Sequence, residues 1–216
     1  MLSKEILVQI HGLSGIIVFI VGLLQILLKK GGKIHSYLGL TYVAAWLFLV
    51  ITGGLIGSYM ILLLGIFGFY FVLSGYRFAK LKKIPAQLFD KILIIIGILV
   101  GVWILISAVR LFIAGNVSFG IIFTVFGGIF TSVTIKDYQQ FILKQKKDKL
   151  FGLKQFWYFE HFGRMYISYI AALTAFSALQ NVFGIEVLNW LLPTVLGTIL
   201  IIVTKRYYIK KFNIEV

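Results

Sequence analysis

The sequence predicts an all-α protein: a seven-transmembrane-helix bundle with the N-terminus out and the C-terminus in. Three observations carry this reading. The 216 residues are 60% hydrophobic and only 13% charged, with a mean hydropathy of +1.00, whereas a soluble domain is usually about half apolar and about a quarter charged. Seven apolar stretches recur, each near the ~20 residues a helix needs to cross ~30 Å of hydrocarbon. All but two of the 21 Lys and Arg residues fall in alternate gaps between those stretches. No ten-residue block alternates polar and apolar residues, so membrane strands are not expected.

The first stretch, 6–28, is followed by Lys29, Lys30 and Lys33. It is longer than a signal-peptide core and no A-x-A-like site follows, so it is read as retained. The second, 36–56, and third, 58–79, are joined without a cation. The gap after the third holds Arg77, Lys80, Lys82, Lys83 and Lys91. The fourth, 89–109, ends at Arg110, which with Lys4 makes up the two exceptions. The fifth, 117–136, leads into the one long connection, with Lys136, Lys144, Lys146, Lys147, Lys149 and Lys154. Its Lys-rich run and the aromatics Phe156, Trp157, Tyr158 and Phe159 predict a short interfacial helix. The sixth stretch, 161–181, carries Arg164 near its start, and the seventh, 187–205, is followed by Lys205, Arg206, Lys210 and Lys211.

Cytoplasmic loops of membrane proteins carry the excess of Lys and Arg. An odd number of crossings follows, in a single integral domain, 1–216, of the bacterial cytoplasmic (inner) membrane. The formal charge of +14 is then read as orientation and contact with anionic lipid headgroups, not as a nucleic-acid surface. The chain has no cysteine, which excludes disulfides and thiolate metal sites.

Lipid provides no hydrophobic reason for helices to associate, so small residues at close approaches are expected to do it. His11, Ser14, Gly15, Val18, Gly22 and Gln25 share a face of the first stretch. Gly65, Gly68 and Gly75 lie in the third, the pair Gly97 and Gly101 in the fourth, and Ser168, Ala171, Ala172 and Ala175 in the sixth. Gly31–Gly32 and Gly53–Gly54 are read as helix-end turns.

Ionisable groups inside spans are costly and usually face the bundle interior or water. One set falls at the cytoplasmic ends: His35, Tyr76, Arg77, Asp137, His161 and Arg164. A second falls at the outer ends: His11, Arg110, Asn116, Asn181 and Glu186. His161, Arg164 and Ser168 share one helix face. The inner set admits a structural network in which Asp137 pairs with an arginine. It also admits a cytoplasm-facing site, as a pocket for a small anionic or lipid-like ligand on arginine forks, as haem b between His35 and His161, or as a His-based proton or metal route that adds Asp137. His11 stands alone at the outer end, so no second bis-histidine haem is expected. No G-x-S-x-G, P-loop or dinucleotide fingerprint occurs, and enzymatic catalysis is not expected.

The segments Gly32-Lys33-Ile34-His35, Gly65-Ile66-Phe67-Gly68-Phe69-Tyr70 with Ser74-Gly75-Tyr76-Arg77, Lys136-Asp137, His161-Phe162-Gly163-Arg164-Met165 with Tyr169, Thr174-Ala175-Phe176, and Trp190-Leu191-Leu192-Pro193-Thr194 occur in that order. Together they resemble the bacterial multi-pass membrane proteins of domain-of-unknown-function family 2306. The resemblance implies a seven-helix inner-membrane protein and draws attention to His35, Arg77, Asp137, His161 and Arg164. It implies no activity. Three readings stay open: a ligand-binding membrane protein, a haem or metal redox protein, and a structural or assembly partner.

Overall fold

A computed structural model describes residues 3–57, 59–81, 86–143 and 155–214. The described chain is helical throughout its regular structure. In order run α1 (Lys4–Leu27), α2 (Lys33–Ile56), α3 (Tyr59–Leu81), α4 (Leu88–Ile113), α5 (Val117–Asp137), α6 (Phe156–Gln180) and α7 (Glu186–Lys211). A π-helical turn, Tyr138–Ile142, prolongs α5.

Local chemistry sets the ends. The Ser3 hydroxyl accepts from the Ile6 amide at 3.3 Å to start α1, an N-cap that satisfies an otherwise unpaired amide. Gly57, at φ 80°, ends α2 in the left-handed conformation that glycine adopts without strain. Gly53 and Gly54 therefore lie inside the last turn of α2 rather than beyond it. Asn116 caps α5 by accepting from the Phe119 amide at 3.2 Å.

Among the described residues six helices are long and apolar enough to cross a membrane; α6 is not among them. Its lower hydropathy has a structural cause. It packs on α1, α3 and α7 and buries Arg164, Ser168, Thr174 and Ser177. A helix at the centre of a bundle needs no apolar outer face. The chain thus reads as a multi-pass membrane protein built from three hairpins, α1–α2, α4–α5 and α6–α7, joined through the α3–α6 contact. Exposed Ile, Leu and Val side chains cover the outside, as on α4, where Ile95, Ile96 and Leu99 are exposed.

Glycines set the close approaches. Gly68 leaves room for the Trp46 indole, and Gly22 for the Tyr169 ring. A Cβ on Gly101 would sit 2.5 Å from the Thr131 hydroxyl and 3.3 Å from its backbone, so α4 and α5 touch there. The core beside that seam is aromatic: the Phe67 ring lies 5.3 Å from Phe126, and Tyr70 lies 4.7 Å from Phe130.

The predicted interfacial helix is replaced by a different arrangement. Phe156, Trp157, Tyr158 and Phe159 form the first turn of α6, where Phe156 packs on Phe78 of α3 and Tyr158 stands 5.1 Å from Tyr208 of α7 and 5.7 Å from Phe212 just after it. The part of that expectation lying in 144–154 falls outside the described residues.

Candidate functional site

α3, α5 and α6 bring a charged network together at the lysine-rich end of the bundle. Arg164 is only 2% exposed. Its guanidinium donates to Asp137 at 2.5 Å, to Glu160 at 3.0 Å and to the Ser74 hydroxyl at 3.2 Å. Lys136 reaches Glu160 at 2.9 Å, and the Tyr70 hydroxyl points to Asp137 at 3.5 Å. The Phe78 ring closes the remaining face, 4.4 Å from the guanidinium carbon. Two cations thus meet two carboxylates: the buried Arg164 and Asp137 pair with each other, and Glu160 links Arg164 to the part-exposed Lys136.

Beside it stands a histidine pair. His161 lies one turn before Arg164, and its Nδ1 is 2.8 Å from the Gly75 carbonyl oxygen. A carbonyl only accepts, so Nδ1 carries the proton and Nε2 is left as the lone-pair nitrogen in the neutral ring. Gly75 makes this approach possible: a Cβ there would lie 3.1 Å from the Arg164 Cβ. The His35 ring faces His161 with centroids 6.3 Å apart and planes 80° apart. The Gln25 amide fixes the His35 backbone by donating to its carbonyl at 2.8 Å. His35 Nδ1 is buried with no hydrogen-bond partner among the described residues. In the α1–α2 turn, Lys30 donates to the Gln25 and Ile26 carbonyls, and burial pushes its ammonium below the ordinary lysine value.

The six residues singled out at this end therefore do not form one cluster. Asp137 and Arg164 belong to the ion network, and His35 and His161 form the pair. Arg77 turns away to Asp90, with a two-pronged contact at 2.6 and 2.7 Å. Tyr76 takes the Lys80 ammonium over its ring at 5.5 Å. Both arginine forks expected to receive an anion are thus occupied by carboxylates.

Several participants escaped the sequence reading. Glu160 sits four residues before Arg164, a spacing that places the two on one helix face. Asp90 follows Gln87 by three, and its carboxylate accepts from the Gln87 amide at 2.8 Å, half of a capping box. Tyr70 and Ser74 stood in the quoted motif segments of the third stretch but were not singled out as site residues.

At the opposite end His11 bonds to the Thr52 hydroxyl at 2.9 Å. Asn181 ends α6 at φ 49° and accepts from the Asn189 amide at 2.6 Å. Arg110 is exposed in the last turn of α4, away from His11 and Asn181 in the helix order.

No match stands behind these sites. No family model, curated protein or solved structure matches the chain. Among the described residues no group of three or more His, Cys, Asp or Glu side chains is arranged to hold a metal ion. Function is therefore argued from the donor atoms themselves.

Proposed function

We propose that the protein is a haem-binding protein of the bacterial cytoplasmic membrane, in which His35 and His161 would hold one haem b. The observation that carries this is the 6.3 Å separation of the facing imidazoles. Two rings ligating one metal at about 2 Å each have centroids roughly 6 Å apart. The donor set favours haem over a bare ion. A free divalent metal takes three or four protein ligands in most sites, whereas a porphyrin supplies four nitrogens and needs only two from the chain.

The surrounding residues fit that role. The Gly75 carbonyl holds the His161 ring through Nδ1 and fixes its tautomer, the usual second contact of a metal-ligating histidine. The unpartnered Nδ1 of His35 is an orphaned donor or acceptor in a buried position. A haem held there supplies a one-electron couple whose potential is set by its ligands and burial. The chain's own part is to position two imidazoles, exclude water and clamp α6 through Arg164. The occupied arginine forks support this reading over the anion pocket. Seven crossings with the lysine-rich end in the cytoplasm, and kinship with family 2306, belong to the same proposal; the charge asymmetry and the ordered motifs support them.

The test is the visible spectrum of protein purified from cells supplied with a haem precursor. A Soret band and about one haem per chain are expected. His35→Ala and His161→Ala should each abolish the band while helical content by circular dichroism is kept. Folded protein with no Soret band, before or after added haemin, would falsify the assignment. A stoichiometric transition metal by elemental analysis, without haem, would move the pair to a bare-metal role.

A further inference from the structure

The geometry points to a second site, independent of the histidine pair, at the N-terminal end of the bundle: a pocket for a membrane-soluble molecule with an apolar body and a hydroxyl head, an alcohol or phenol. Its basis is a cavity of about 920 Å³ lined chiefly by α1 and α6. Small-molecule sites typically enclose ~300–1,000 Å³, are mostly apolar and carry a few placed polar groups.

The cavity exists because α1 and α6 diverge. Toward the lysine-rich end they meet at Tyr169, whose ring lies 6.2 Å from Phe19 and fills the space left by Gly22. Nearer the N-terminal end, Gly12 and Gly15 face the space opposite Ala171, Ala172 and Ala175. These glycines differ from Gly22. A Cβ on Gly12 would meet nothing within 4 Å, and one on Gly15 only the Leu49 Cδ2 at 4.0 Å. They leave room without making contact. Ile16 and Ile20 on α1, and Phe176 and Leu179 on α6, line the cavity and are exposed. The mouth therefore opens sideways between two helices, where an apolar molecule would enter from lipid.

The polar end selects the head group. Thr52 gives its hydroxyl proton to the Phe48 carbonyl at 2.6 Å, so its oxygen accepts from His11 Nδ1. That leaves Nε2, on a ring that lines the cavity, as a lone-pair acceptor. Glu186 also lines the cavity, and its carboxylate only accepts when ionised. Asn189 is already used, holding Asn181, Ser177 and the Phe183 amide. These two acceptors call for a donor, and the lining also carries N–H donors in the Gln180 amide and the Trp46 indole, so the head must both give and accept. Among the described residues Glu186 is the one charged side chain in the lining, with Lys4, Glu5 and Arg110 outside it, so an anionic head is disfavoured. A neutral hydroxyl meets both conditions.

The probes are 4-decylphenol and its methyl ether, 4-decylanisole, which differ only in the donor. Each is titrated into the full-length protein in detergent, and melting temperature and tryptophan fluorescence are read; Trp46 and Trp190 line the cavity. The phenol should bind saturably and about tenfold more tightly than the ether, the worth of one good hydrogen bond. His11→Phe should bring the phenol to the ether's level. Gly15→Leu, which fills the space, should abolish both, and Gly12→Leu is the second filling variant should the first fail to fold. Equal binding of phenol and ether, or unchanged binding in a folded filling variant, would overturn the site. Haem content is not read in this experiment, so its outcome is separate from that of the histidine pair.

Discussion

Arg164 ties three helices through one guanidinium: Asp137 on α5, Ser74 on α3 and Glu160 on its own helix. Removing it would strand the almost wholly buried carboxylate of Asp137, while Glu160 would keep Lys136. Loss of one partner from a buried ion pair costs about 3–5 kcal/mol. Arg164→Met should therefore melt far below the wild type in detergent. Adding Asp137→Asn should restore part of the loss, because the buried carboxylate that lost its cation is then neutral and Glu160 still pairs with Lys136. A single variant that melts normally would remove the network from the list of structural supports. At this scale the sequence was partly legible. Membrane depth singled out Arg164, Asp137 and both histidines. It could not separate the ion network from the histidine pair, because depth is one coordinate and side-chain pairing needs three. Arg77 shows the difference: it lies at the same end, yet its partner is Asp90, in the first turn of α4.

Among the elements, α4 and α6 show why small residues had to be sorted by their neighbours. Gly97 and Gly101 both face α5, with Thr134 and Thr131 within contact of an added Cβ. Gly101→Leu should wedge the seam open and cost about 1–3 kcal/mol, the usual penalty of overpacking. Gly12→Leu, on α1, should leave the melting temperature nearly unchanged, since its Cβ meets open space. Comparing the two melting curves checks whether the glycines divide into contacts and clearances as described. Spacing alone placed Gly15 and Gly22 on one face of α1, but could not tell that α6 touches only at Gly22. The aromatic start of α6 was misread for a related reason. Phe156 to Phe159 beside a lysine run fits a membrane interface, and only the position of Tyr208 and Phe212 makes it a packed helical turn.

For the whole molecule, the division of cations between the two ends is the testable quantity. The chain lacks cysteine, so single cysteines report sidedness cleanly. In intact cells Arg110→Cys should react with a membrane-impermeant maleimide, and Lys210→Cys should react only after lysis. The reverse pattern would invert the bundle, and reaction of both in intact cells would remove the odd number of crossings. What the sequence by itself determined is the solvent and the element list: composition requires lipid around most helices, and span length sets seven helical segments. Tertiary structure alone decided that α3 and α6 pack together inside the bundle, that His35 meets His161, and that α1 and α6 part to enclose a cavity. The physical reason is that hydropathy records only whether a residue avoids water. In a membrane both the lipid-facing surface and the packed interior avoid it, so the pattern that specifies a span cannot say which side chains face one another.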